Sequence, residues 1–91
     1  MTADDAITDL VPVIQESILN DPSVPRNVKS NVDKSLSEYL LNKDDDIDMR
    51  IYSTLSIFEE QTGDPNLPQH ARTKLFEFIN ALESIVQKYK N

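Results

Sequence analysis

Apolar residues recur along this chain in steps of four, three and four. The first set is Ile7, Val11, Ile14 and Ile18, and the second is Val28, Val32, Ser35 and Tyr39, with Leu36 and Leu40 widening it. The third is Ile51, Leu55, Phe58 and Thr62; the fourth is Ala71, Leu75, Phe78 and Leu82, continued by Ile85 and Tyr89. Such spacing places each set on one face of an α-helix, so the pattern predicts four amphipathic helices near residues 4–20, 24–42, 46–62 and 67–89.

Proline marks two of the joints. Asp21-Pro-Ser-Val-Pro-Arg-Asn-Val-Lys29 and Asp64-Pro-Asn-Leu-Pro-Gln-His-Ala-Arg72 read as the same segment written twice. In each copy one proline cannot continue the preceding helix, Ser23 or Asn66 offers an N-cap, and a second proline falls in the first turn, where its missing N–H is not needed. Val24 and Leu67 are placed to cover the two junctions. The stripes after the corners share one phase. Those before them match with a slip of one residue, which predicts a second corner one residue shorter, with Gly63 as the stop of its helix.

The chain therefore reads as one all-α domain over 1–91, a four-helix bundle made of two similar helical hairpins, at about 4–42 and 46–89. The hairpins resemble a pair of HEAT-like repeats. Two such repeats are too few for an open stack, so the chain is expected to close on itself or to pair with a second copy. Helix four carries Phe76, Ile79 and Val86 beside its main stripe, more than one antiparallel neighbour covers. Two neighbouring helices would cover that surplus, and so would a homo-oligomeric interface.

Pro12 interrupts the first stripe. Either the helix begins near residue 4 and bends at Pro12, which the apolar Ile7 favours, or it begins at Asp9 as N-cap and leaves Pro12 where no N–H is required.

Composition removes several kinds of chemistry. The 91 residues include no cysteine, hence no disulfide, thiolate nucleophile or thiolate-bound zinc. The formal charge of −7 repels phosphate backbones and anionic membranes unless the nine cations gather on one face, so nucleic acid is disfavoured as a partner. The opening MTADDAITDL lacks the basic start and apolar run of a secretory signal, and no stretch approaches a membrane span; cytoplasmic residence is expected.

Asp44, Asp46 and Asp48 alternate like the opening of a calcium-binding EF-hand loop, but Met49 stands where that loop needs glycine and Leu55 where it needs glutamate. The block reads instead as an N-cap with negative charge at a helix start. Tyr39, Tyr52 and Tyr89 stand at or beside core spacing, which makes them packing residues rather than a platform for bases. His70, the only histidine, lies in the first turn of helix four without a nucleophile or carboxylate pattern around it, and reads as a solvated surface residue.

Arg26, Lys29 and Arg72 are cations in first turns, where they oppose the helix dipole. Lys29 and Arg72 hold equivalent places in the two corners. Each arm is expected to bend back to the carbonyls ending the previous helix, or to pair with a carboxylate such as Asp21 or Asp64; the competing reading is a small cationic spot for an anionic ligand or acidic segment.

With Ser23-Val-Pro-Arg-Asn-Val-Lys29, Asp48-Met-Arg-Ile51 and Asp64-Pro-Asn-Leu-Pro-Gln-His-Ala-Arg-Thr73 in view, the chain resembles a family of short archaeal helical proteins, uncharacterised protein family number 0147. The resemblance spans about residues 14 to 85, and Arg50, Pro68, His70, Ala71 and Arg72 carry it most. It implies an archaeal origin and a compact helical fold, with no activity and no catalytic residues to carry over. The first helix, with Pro12, is where the chain departs from it.

These readings converge on a non-enzymatic module without cofactor or metal that binds another protein or a copy of itself through Arg26, Lys29, Arg50, His70, Arg72, Phe76, Ile79 and Val86. The alternative is an anionic ligand or nucleic acid held by Arg26, Lys29, Arg50 and Arg72.

Overall fold

The computed structural model describes residues 2–90, and all regular structure in that span is helical. α1 (Ala3–Ile14) runs without a break into a π-helical turn (Gln15–Leu19), and α2 (Arg26–Ser35) runs into another (Leu36–Leu40). α3 (Ile47–Thr62) and α4 (Gln69–Lys90) complete the order.

A capping box starts α1: the Asp5 amide donates to Thr2 Oγ1 at 3.1 Å, and the Thr2 amide donates to Asp5 Oδ2 at 3.3 Å. The helix thus begins well before Asp9 and contains Pro12. Thr8 and Pro12 are both exposed, so the carbonyl that Pro12 cannot serve lies on the water side, which lowers the cost of an interior proline.

α1 packs on α4, the π turn after α1 packs on both α2 and α4, α2 packs on α3, and α3 packs on α4. This ring of contacts closes a bundle in which chain neighbours run antiparallel because their links are short. Ile7, Ile14, Ile18, Val28, Val32, Leu40, Ile51, Phe58, Leu75 and Leu82 are enclosed at its centre, each contributing ~1.5–3 kcal/mol through removal from water. Ser35 and Thr54 meet in a buried polar contact between α2 and α3, where Thr54 Oγ1 donates to the Ser35 carbonyl at 3.4 Å; Ser35 Oγ itself donates to the Val32 carbonyl at 2.6 Å.

Proline advertises two corners, but the structure builds three of the same kind. At Asp21, Asn42 and Asp64 the side-chain Oδ1 accepts the amide two residues on, from Ser23 (2.9 Å), Asp44 (3.1 Å) and Asn66 (2.8 Å). In each corner the carbonyl of that Asp or Asn also accepts the amide three residues on, from Val24, Asp45 and Leu67. The next residue, Pro25, Asp46 or Pro68, then accepts the first helical amide from Lys29, Arg50 or Arg72. Side-chain capture of this kind is what Asp and Asn contribute at turns. The unit that repeats is therefore one helix with its corner, and the middle corner escapes a search for prolines because Lys43 and Asp46 occupy the proline positions.

Two expectations at the corners are corrected. Ser23 and Asn66 are turn residues whose amides the aspartates hold, and Pro25, with φ −57° and ψ 146°, is itself the N-cap of α2. The third corner is no shorter than the first. The one-residue slip is absorbed inside the helices, where the π turn after α1 closes with Asn20 donating to the Gln15 carbonyl at 3.1 Å and that after α2 with Leu41 donating to Leu36 at 2.9 Å. The end of α3 has no such turn, and Gly63 donates to the Glu60 carbonyl at 3.2 Å.

A third correction concerns the surface. Ile79 and Val86 are 5 % and 1 % exposed, so the surplus on α4 belongs to the core: α4 packs on both α1 and α3, and only Phe76 of the three, at 50 %, faces water. Tyr39, Tyr52 and Tyr89 also lie at the surface rather than in the core, because each sits at the edge of its helix stripe.

Candidate interaction surface

The four cations proposed to gather do not. Arg50 is 3 % exposed; its Nε donates to the Leu40 carbonyl at 2.9 Å and its Nη2 to Asp4 Oδ1 at 3.0 Å, while Lys43 approaches the other Asp4 oxygen at 3.8 Å. Chiefly through the Arg50 hydrogen bond, Asp4 is held below the ordinary carboxylate range. Arg72 repeats the arrangement one corner later. Its Nε donates to the Thr62 carbonyl at 2.9 Å, its Nη2 to the Asp64 and Leu67 carbonyls at 3.1 Å, and its Nη1 to Gln69 Oε1 at 3.0 Å.

Both arginines thus satisfy carbonyls left open at the end of the preceding helix, for which the planar guanidinium fork is well suited. Lys29 occupies the same place in the first corner, but its side chain makes no hydrogen bond or ion pair with the described residues, and neither does that of the exposed Arg26. Arg50 also lies a helix length away from Lys29, at the other end of α2. A single cationic patch is not formed.

The first and third corners clasp each other. His70 Nε2 lies 2.7 Å from Asp21 Oδ2, and Asn27 Nδ2 donates to Asp64 Oδ2 at 2.9 Å, so each corner aspartate is held by the residue six places after the aspartate of the other corner. Asn31 Nδ2 adds a bond to Gln61 Oε1 at 3.2 Å. Asp21 is held down to about 2, first by the Ser23 hydroxyl and amide and then by His70, so it is a carboxylate at neutral pH. Asp64 is lowered by Asn27 and by the Asn66 amide.

Ser23, His70 and Asp21 are close neighbours, yet they are not arranged for nucleophilic catalysis. A serine triad needs the hydroxyl on one ring nitrogen and the carboxylate on the other. Here Asp21 Oδ2 and Ser23 Oγ (3.1 Å) both face Nε2, and Ser23 gives its hydroxyl proton to Asp21 Oδ1 at 2.6 Å. The Nε2 that faces ionised Asp21 carries a proton and cannot accept one from serine. His70 is thus solvated, as its sequence position implies, but engaged in the clasp. Among the described residues no group of three His, Asp or Glu side chains is placed to hold a metal ion, and no helix is long and apolar enough to cross a membrane.

An uncovered apolar feature lies elsewhere, along the seam of α1 and α4. One cavity of about 370 Å³ is lined by Ala6, Asp9, Leu10, Val13, Ala81, Ser84 and Ile85. A second, of about 230 Å³, is lined by Thr2, Ala3, Ala6, Ile85, Lys88 and Tyr89. The two share Ala6 and Ile85 and so adjoin, making one shallow apolar groove along the seam. Sequence reasoning passed over these residues because alanines beside a core stripe carry no signal until the partner helix is known.

Fold and surface together define a small helical bundle closed by repeated corners, with an apolar groove along the α1–α4 seam. The chain belongs to the Uncharacterised protein family UPF0147, whose family model matches residues 1–85 and so takes in α1, beyond the proline corners that carry the resemblance. It is 43 % identical over 75 residues to a member from Methanothermobacter thermautotrophicus, covering 82 % of this chain and 72 % of that protein. It is 34 % identical over 82 residues to one from Pyrococcus abyssi, covering 90 % and 94 %, and 30 % identical over 87 residues to one from Thermoplasma volcanium, covering 96 % and 97 %. These relatives are archaeal proteins with no assigned function. No solved structure matches the chain.

Proposed function

We propose that the protein is a non-enzymatic, cytoplasmic interaction module whose working surface is the α1–α4 groove. The observation that carries this reading is the groove itself: contiguous uncovered apolar surface with a polar rim is the usual mark of a docking face. The rival reading, an anionic ligand held by Arg26, Lys29, Arg50 and Arg72, is weaker because Arg50 and Arg72 already serve backbone carbonyls.

We infer further that the two hairpins are halves of a closed pair. The contact between their corners is reciprocal, Asp21 to His70 and Asp64 to Asn27, which is the pattern of a two-fold relation; successive HEAT-like repeats meet head to tail and make such a contact in one direction.

Site-specific photocrosslinking in extracts of the source organism tests the interaction reading. A crosslinker in place of Ser84, in the groove, is expected to give a discrete protein adduct, and one in place of Glu38, in the π turn after α2, is not. Equal, diffuse labelling at the two positions contradicts the reading.

A further inference from the structure

We propose that the partner in the α1–α4 groove is a second copy of this chain, joined to the first through a two-fold axis near Ala6 and Ile85. The inference rests on the interaction reading above and names its partner.

The charge around the groove carries it. Among the described residues that line the groove, Asp9 is the charged one that α1 supplies and Lys88 the charged one that α4 supplies. Lys88, from α4, borders one end together with Tyr89, and Asp9 borders the other together with Val13; Ala6 and Ile85 line both parts and so lie between. Neither Asp9 nor Lys88 has an ion-pair partner among the described residues.

A two-fold through the middle exchanges the ends of the groove. It lays Asp9 of one copy against Lys88 of the other, twice per dimer, and sets the Val13 end of each against the Tyr89 end of its mate. A contact of this kind is self-complementary and closes at two copies. An acidic partner or an anionic lipid surface would leave Asp9 repelled.

Sedimentation equilibrium on the purified chain tests the proposal. The expected result is a dimer at micromolar concentration for the native protein and an association weakened roughly tenfold or more for Asp9→Lys and for Lys88→Asp, since each places like charges together twice. The double variant Asp9→Lys/Lys88→Asp restores the dimer because both pairs are remade. Both positions are exposed, and the helical circular dichroism of each variant checks that it folds. A native chain that stays monomeric at hundreds of micromolar, or a double variant no better than the singles, overturns the proposal. Monomeric protein together with a discrete adduct to a different protein at Ser84 would remove the self-association and leave the interaction reading in place.

Discussion

The Nε of Arg50 donates to the carbonyl of Leu40, ten residues upstream, and the Nε of Arg72 does the same to Thr62. The two bonds are the same device at consecutive corners: a side chain from the first turn of one helix reaches back and closes the end of the helix before it. Removing the device where it is most enclosed has the largest effect. Arg50→Ala leaves the Leu40 carbonyl and Asp4 without their donor in a buried place, and a loss of about 2–4 kcal/mol is expected in urea unfolding. Arg50→Lys recovers little of it, because an ammonium cannot reproduce the fork.

The first corner lacks this bond. Lys29 stands eight residues after Asp21, as Arg50 does after Asn42 and Arg72 after Asp64, and the carbonyl at the corresponding place is that of Leu19. Lys29→Arg is therefore expected to stabilise the protein by about 1 kcal/mol, without a change in the dependence on denaturant concentration. An unchanged urea midpoint would show that the first corner differs from the others.

The middle corner lacks its prolines. Asp46 has φ −65° and ψ 154°, close to the −57° and 146° of Pro25, and its amide makes no hydrogen bond among the described residues. Asp46→Pro should stabilise the fold by about 0.4–1 kcal/mol by narrowing the unfolded ensemble. Thermal unfolding reads the effect; a lowered midpoint would mean that Asp45 cannot hold the extended conformation a following proline demands.

Gly63 ends α3 with φ −86° and ψ −1°, the same backbone that Asn20 and Leu41 adopt in the other corners. An added Cβ would meet the Glu60 carbonyl at 3.5 Å, an ordinary contact. Gly63→Ala should accordingly raise stability by about 0.4–1 kcal/mol, whereas a glycine in a left-handed stop would punish the same change.

The hydrogen bonds held by Asp21, Asp4 and Asp64 make the fold sensitive to acid. Asp21 falls from an ordinary value of 3.8 to about 2 on folding, so its contribution is complete above about pH 4 and is lost as the pH drops through 2. Asp4 and Asp64, lowered as well, lose theirs on the same side. The urea midpoint is expected to fall between pH 4 and pH 2, and Asp21→Asn to flatten part of that fall. Identical slopes for the two proteins would count against the hydrogen bonds that Ser23 and His70 make to Asp21.

The four helices, the two proline corners and the burial of Val24 and Leu67 were legible in the chain because each depends on neighbours in sequence. Apolar periodicity selects the helix face, and proline restricts its own dihedral angle and that of the residue before it. The slip of one residue was also visible, although its realisation as π turns was not: a shorter loop and a wider helical turn accommodate the same count of residues. The middle corner showed only in the structure, because Asn42 looks like any polar residue until its side chain takes the Asp44 amide. Tertiary structure alone decided that Ile79 and Val86 are covered, that Arg50 closes a helix end, and that Ala6 and Ala81 line a groove. Local rules choose the conformation of a segment. Which of its faces meets water depends on helices many residues away, and that choice is made only when all four pack together.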